Sequence, residues 1–185
     1  MSIDRRSFLR TGMAGFGSIM LMPSCLTRTA PSWQFFTAEE AACVIALCEQ
    51  IIPEDEHGGG ATEAGVIHYI DRQLVAVFDY DQVIYQQGIS ALQNSCLELH
   101  GLRFEALDAD TQYEICTAME EGTLPGGPWG QLDPARFFHL VIRHCMQGFY
   151  GSPRHGGNKD YMSYRMMGLE YPLVVGRNHY KPLSG

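Results

Sequence analysis

Helical periodicity, punctuated by start and stop signals, is the feature that most constrains this chain. Phe137, Phe138, Val141, Cys145 and Phe149 recur at the spacing of one helix face, directly behind Asp133 and Pro134. An Asp at the N-cap can accept a hydrogen bond from an otherwise unpaired first-turn amide. A Pro at the first helical position loses no intrahelical bond. The same grammar repeats upstream. Thr37 with Glu40 three residues on forms a capping box, and Val44, Ile45, Leu47, Cys48, Ile51 and Ile52 follow as an apolar face that Pro53 ends. A second helix is predicted from about Thr62 to Val77, with Val66, Ile67, Ile70 and Leu74 inward. A third runs from about Asp81 to His100, with Ile84, Ile89, Leu92 and Cys96 on one face. A fourth starts at Asp108 and stops near Gly122. No run of alternating β-branched residues competes, and Leu173-Val174-Val175 is too short to make a strand. The pattern predicts an all-α domain of about five helices. Residues 122–132 read as a long irregular loop, and 150–185 as a loop and C-terminal tail.

Residues 1–30 stand apart from that pattern, leaving 31–185 as the helical domain. Arg5 and Arg6 are followed by Ser7, Phe8, Leu9 and Arg10, then by a mildly apolar run from Thr11 to Met22. A basic start before a short apolar stretch reads as an export leader, and the run falls short of the ~20 residues a spanning helix needs. The pattern around Arg5, Arg6, Phe8 and Leu9 resembles the bacterial twin-arginine signal. It departs at its edges, with Asp4 where Ser is common and Arg10 where Lys is common. No clear small-residue cleavage site follows. Met22-Pro23-Ser24-Cys25 resembles a degraded lipoprotein box, which makes Cys25 a candidate for lipidation and membrane attachment. The resemblance implies export of an already folded protein, such as one carrying a cofactor or riding with a partner that does.

The remaining five cysteines, Cys43, Cys48, Cys96, Cys116 and Cys145, are an odd number placed mostly on apolar faces. They read as buried thiols rather than a disulfide framework. The formal net charge of -8 excludes nucleic-acid binding through bulk electrostatics. Catalytic and cofactor patterns are missing. No Gly-x-Gly-x-x-Gly follows a strand, no Cys-x-x-Cys-His is present, and no Gly-x-Ser-x-Gly elbow occurs. Cys43 and Cys48 have the spacing of one half of an iron–sulfur motif that nothing completes. Glu54-Asp55-Glu56-His57 contains a single Glu-x-x-His, set between a proline and three glycines instead of on a helix. His139 and His144 fall roughly 140° apart around a helix, too far to share a metal. Neither a catalytic set, a metal site nor a cofactor site is expected in this chain.

The segment that stands out is Gly148-Phe149-Tyr150-Gly151-Ser152-Pro153-Arg154-His155-Gly156-Gly157-Asn158. Its glycines permit repeated turns, Pro153 stiffens them, and Phe149 and Tyr150 are the aromatic type favoured in interfaces. Gly148, Phe149, Tyr150, Gly151, Pro153, Gly156, Gly157 and Asn158 are therefore candidate partner contacts, the other reading being a loop folded back on its own domain. The tail adds Tyr161, Tyr164, Met166, Met167, Leu169, Tyr171 and Leu173, a large apolar load for irregular backbone.

Taken together, these stretches resemble the gluconate 2-dehydrogenase subunit 3 family. The resemblance rests on the leader, Phe36-Thr37-Ala38-Glu39-Glu40, Ile51-Ile52-Pro53, Glu63-Ala64-Gly65-Val66 and Tyr69-Ile70-Asp71-Arg72-Gln73-Leu74. It closes on Gly148-Phe149-Tyr150-Gly151 and Gly156-Gly157-Asn158. It implies a non-catalytic small subunit without a cofactor of its own. The implied partner is a large subunit of the glucose–methanol–choline oxidoreductase fold that holds FAD and oxidises a hydroxyl of a sugar or sugar acid. A cytochrome c subunit and the twin-arginine translocase are further implied partners, and the implied location is the periplasm. Two readings from other classes stay open on the residues alone: a stand-alone exported lipoprotein adaptor, and an exported enzyme with an unrecognised site.

Overall fold

The computed structural model of the chain describes residues 33–56 and 58–169. The leader residues Arg5, Arg6, Phe8, Leu9 and Cys25, the residue His57, and the tail residues Tyr171 and Leu173 lie outside the described residues. Among the described residues six helices follow in order: α1 Ala38–Ile51, α2 Val66–Leu74, α3 Gln82–His100, α4 Ala109–Glu120, α5 Pro134–Tyr150 and α6 Met162–Met166. Short 3-10 turns at Asp79–Asp81, Phe104–Ala106, Pro153–His155 and Lys159–Tyr161 link them. Among the described residues there is no strand, and the fold is all-α.

Local chemistry explains where each helix begins. Thr37 and Glu40 complete the capping box of α1: the Thr37 hydroxyl accepts from Glu40 N at 3.2 Å, and the Glu40 carboxylate accepts from Thr37 N at 2.8 Å. Asp108 caps α4 by accepting from Thr111 N at 3.0 Å, and Thr111 holds the exposed Asp108 carboxyl below its usual range. Asp133 caps α5 by accepting from Ala135 N at 3.0 Å, with Pro134 at the first position. Helix α2 is shorter than the sequence predicts. Gly65, at φ 70°, is its left-handed N-cap, and residues 61–65 form turns instead of a first helical turn. Helix α6 sits in the stretch predicted as irregular tail. It starts behind Tyr161 at φ 57°, without a side-chain cap.

Helix α5 is the centre of the arrangement and packs against all five other helices. Its inward residues Phe137, Val141, Cys145 and Phe149 are at most 1% exposed. Burying each Phe contributes roughly 2–3 kcal/mol relative to exposure. Where α3 approaches α5, Gly88 leaves room for the Phe137 ring: a Cβ at Gly88 would lie 2.3 Å from it. The glycine-rich loop after α1 is tied down by Glu49, whose carboxylate accepts from Glu54 N and from Thr62 N and Oγ1. The 122–132 loop lies along α3. There Trp129 Nε1 donates to Ser95 Oγ at 3.2 Å and Gly127 N donates to Glu98 at 3.2 Å.

Candidate functional site

The 148–158 segment begins inside α5 and turns back toward α2. Gly148 faces the Tyr69 ring, to which a Cβ would come within 3.0 Å. Gly157 then lies on Gly148, so closely that a Cβ would sit 2.2 Å from the Gly148 carbonyl oxygen. Asn158 is fully buried at φ 46°. Its Nδ2 donates to Gly151 O at 2.8 Å, and its Oδ1 accepts from Ser163 N at 2.9 Å. Lys159 N donates to Ala64 O, which ties the segment to the turn before α2. Gly148, Gly157 and Asn158 thus form a latch between α5, α2 and α6. Phe149, expected as an anchor for a partner, is 1% exposed and serves the domain's own core. Burial follows from its place on the same inward stripe as Val141 and Cys145. Gly151, Pro153 and Gly156 are half-buried, which leaves Tyr150, Arg154 and His155 as the exposed residues of the segment. In the tail, Met162 and Tyr164 are buried by the domain itself, whereas Met166, Met167 and Leu169 are exposed.

Two buried polar arrangements were not visible from local sequence. In the first, Asp71 on α2 receives the chain as it enters the domain: Oδ2 accepts from Gln34 N at 2.8 Å, and Oδ1 from Phe35 N at 2.9 Å and Phe36 N at 3.1 Å. Three backbone donors ahead of α1 are satisfied by one carboxylate, and Phe36 is held against Tyr85. The signal for it was a carboxylate on a core stripe, between Ile70 and Leu74.

In the second arrangement, His144 on α5 is sandwiched beside Phe78, with ring centroids 4.4 Å apart. Its Nδ1 lies 3.1 Å from the Tyr85 hydroxyl, and its Nε2 faces Asp81 Oδ2 at 3.6 Å. Burial pushes the His144 pKa down to about 4 and pushes both Asp81 and Tyr85 up. His144 is therefore neutral at pH 7. Nδ1 accepts the hydroxyl proton of Tyr85, and the contact with Asp81, too long for a hydrogen bond, is polar rather than an ion pair. All three residues are buried, and Asp81 Oδ2 is left without a hydrogen-bond partner.

The five cysteines of the domain are free and buried. Burial drives Cys43 well up and Cys96 and Cys116 to about 12; a hydrogen bond with Cys145, then burial, drives Cys48 up. Thiols held protonated in this way are poor nucleophiles and poor ligands. Among the described residues no cluster of three His, Cys, Asp or Glu side chains could hold a metal, and no helix is long and apolar enough to cross a membrane. His139 and His144 point to opposite environments, one exposed and one in the core. Among the described residues, one open depression lies between α3 and the Trp129 loop, and another lies along α5 between Asp133 and Arg143.

A family model described as gluconate 2-dehydrogenase subunit 3 matches residues 38–170, from the first residue of α1 to just beyond α6. Comparison with curated proteins and with solved structures gives no significant match.

Proposed function

Because the chain belongs to the gluconate 2-dehydrogenase subunit 3 family, we propose that it is the non-catalytic small subunit of an exported, FAD-dependent sugar or sugar-acid dehydrogenase. The flavin and the oxidation of the substrate hydroxyl belong to the large partner. This chain stabilises that partner and carries it across the membrane, with a cytochrome c subunit as a further member of the complex. The observation that carries the reading is the family match across nearly all of the helical domain. It is supported by the twin-arginine pattern at Arg5, Arg6, Phe8 and Leu9. It is also supported by five buried free thiols, since a domain without disulfides among its described residues can finish folding in a reducing cytoplasm before export. The complex then works in the periplasm, with lipidation at Cys25 as a route to membrane attachment.

The test is export of the pair. Replacing Arg5 and Arg6 together by lysine should leave both subunits in the cytoplasmic fraction, because the arginine pair is what a receptor reads. Normal periplasmic dehydrogenase activity in that variant would sink the shared-export reading.

A further inference from the structure

Helix α5 has an outward side that neither its capping nor its core packing accounts for. Arg136, His139, Arg143, Met146 and Tyr150 are spaced three, four, three and four residues apart, so they form one stripe along the helix. All five are exposed, Met146 at 43% and Tyr150 at 42%. The stripe is basic in an acidic molecule. The chain carries 21 Asp and Glu against 13 Lys and Arg, yet no carboxylate occurs between Asp133 and Asp160. Among the described residues neither the Arg136 nor the Arg143 guanidinium is taken up by an ion pair or hydrogen bond.

The stripe runs beside a second unusual patch. Arg136 and Arg143 are near enough to Asp81 to favour its ionised form, and His144, next to Arg143, faces Asp81 directly. Asp81 belongs to the corner where α2 passes into α3, and that corner exposes Val75, Val77, Tyr80 and Val83 by 42%, 64%, 69% and 58%. Four large apolar side chains open to water within nine residues, bordered by unpaired arginines, match the composition of a protein interface: aromatic and apolar in the middle, Arg at the flank.

We propose that the outward stripe of α5, together with the corner at residues 75–83, is the face on which the large flavoprotein subunit docks. The partner presents carboxylates over Arg136 and Arg143 and an apolar patch over Tyr80 and Val83. This rests on the accessory-subunit reading above and adds the surface and its chemistry. Charge sign selects the occupant: a molecule with net charge -8 that leaves its arginines unpaired along one helix is complementary to an acidic protein surface.

The experiment uses the flavoprotein that co-elutes with the tagged wild-type chain, purified and titrated against full-length variants at low and high salt. Arg136→Glu/Arg143→Glu and Tyr80→Ser/Val83→Ser should each weaken binding by at least ~30-fold, as expected for central interface residues. Wild-type affinity should fall with salt, and the charge-reversed variant should be nearly salt-independent. Tyr113→Ser, on the exposed face of α4, should bind as wild type. Circular dichroism checks that the helices persist, and Arg136→Gln/Arg143→Gln decides the matter if the charge-reversed chain does not fold. Folded variants with unchanged affinity overturn the surface and leave the accessory-subunit reading standing. A wild-type chain that binds no flavoprotein removes both. Loss of binding to phosphatidylglycerol vesicles, or of self-association by sedimentation, with flavoprotein affinity unchanged, assigns the face to a membrane or to a second copy and also overturns the proposal.

Discussion

His144 shows how much one buried side chain can set. Its folded pKa of about 4 lies below the ~6.5 of an unfolded histidine. Between those values the unfolded chain binds a proton that the folded chain refuses, so stability is full above about pH 6.5 and falls as the pH drops toward 4. The loss should reach about 2 kcal/mol by pH 5 and about 3 kcal/mol near pH 4. Asp81 acts in the opposite sense, since its raised carboxyl pKa favours the folded state at the acid end. His144→Gln can still accept from Tyr85 and donate toward Asp81 without titrating. Urea midpoints at pH 7 and pH 5 should therefore drop less in His144→Gln than in wild type. Equal drops would show that His144 is not the group responsible.

Asp71 is the second residue whose deletion has a calculable effect. Asp71→Ala strands three backbone N–H groups, at Gln34, Phe35 and Phe36, the last of them buried. A loss of about 3 kcal/mol is expected, which corresponds to a thermal midpoint lower by roughly 6–12 °C for a chain of this size. Scanning calorimetry checks it; a midpoint within a degree or two of wild type would mean that water satisfies those donors.

At the scale of elements, the glycine latch is the sharpest case, because it bears on what the 148–158 segment is for. Gly157→Ala forces a Cβ against the Gly148 carbonyl, a backbone atom that cannot rotate away. It should cost about 2–3 kcal/mol. Gly101→Ala is the useful comparison: that residue ends α3, at φ 70°, but a Cβ there meets nothing. It should cost only the ~1 kcal/mol of left-handed strain. Denaturant midpoints separate the two. A Gly157→Ala chain of full stability that has lost its partner would return the segment to the role of a contact surface.

The helices show what local sequence can carry. Thr37 with Glu40, Asp108, and Asp133 with Pro134 were legible because a cap is a contact between residues two or three positions apart. Helix α6 was not, since it is five residues long, uncapped, and entered through left-handed Asp160 and Tyr161. The start of α2 was misplaced because an apolar period does not reveal a left-handed Gly65. Phe149 was legible both as a core position and as an interface anchor, and its 1% exposure on the inward stripe of α5 makes it a core position. The contacts of Asp71 with Phe35 and of His144 with Asp81 and Tyr85 join residues far apart in the chain, which no local period can announce. The outward stripe of α5 was present in the sequence as a gap in acidic residues, but it shows only once the inward face is known.

For the molecule as a whole, the thiols give the most direct test of how it is held together. Cys43, Cys48, Cys96, Cys116 and Cys145 are buried on α1, α3, α4 and α5, and the Cys48 and Cys145 thiols meet where α1 crosses α5. A fold whose buried cysteines act as small apolar side chains should not depend on oxidation. Reductant should leave the thermal midpoint unchanged, and none of the five should react with a thiol reagent unless the domain opens. In a Cys25→Ser chain, which removes the leader's thiol, labelling of the native protein should be far slower than in urea, where all five react. Its rate should follow global stability across the Asp71→Ala and Gly157→Ala variants, because the same opening exposes every site. Fast labelling of one thiol in the native chain would locate a locally unstable helix. Three reactive thiols after unfolding without reductant, rising to five with it, would reveal one disulfide, which peptide mapping would assign to Cys48 and Cys145 or to another pair, and the midpoint would then fall on reduction.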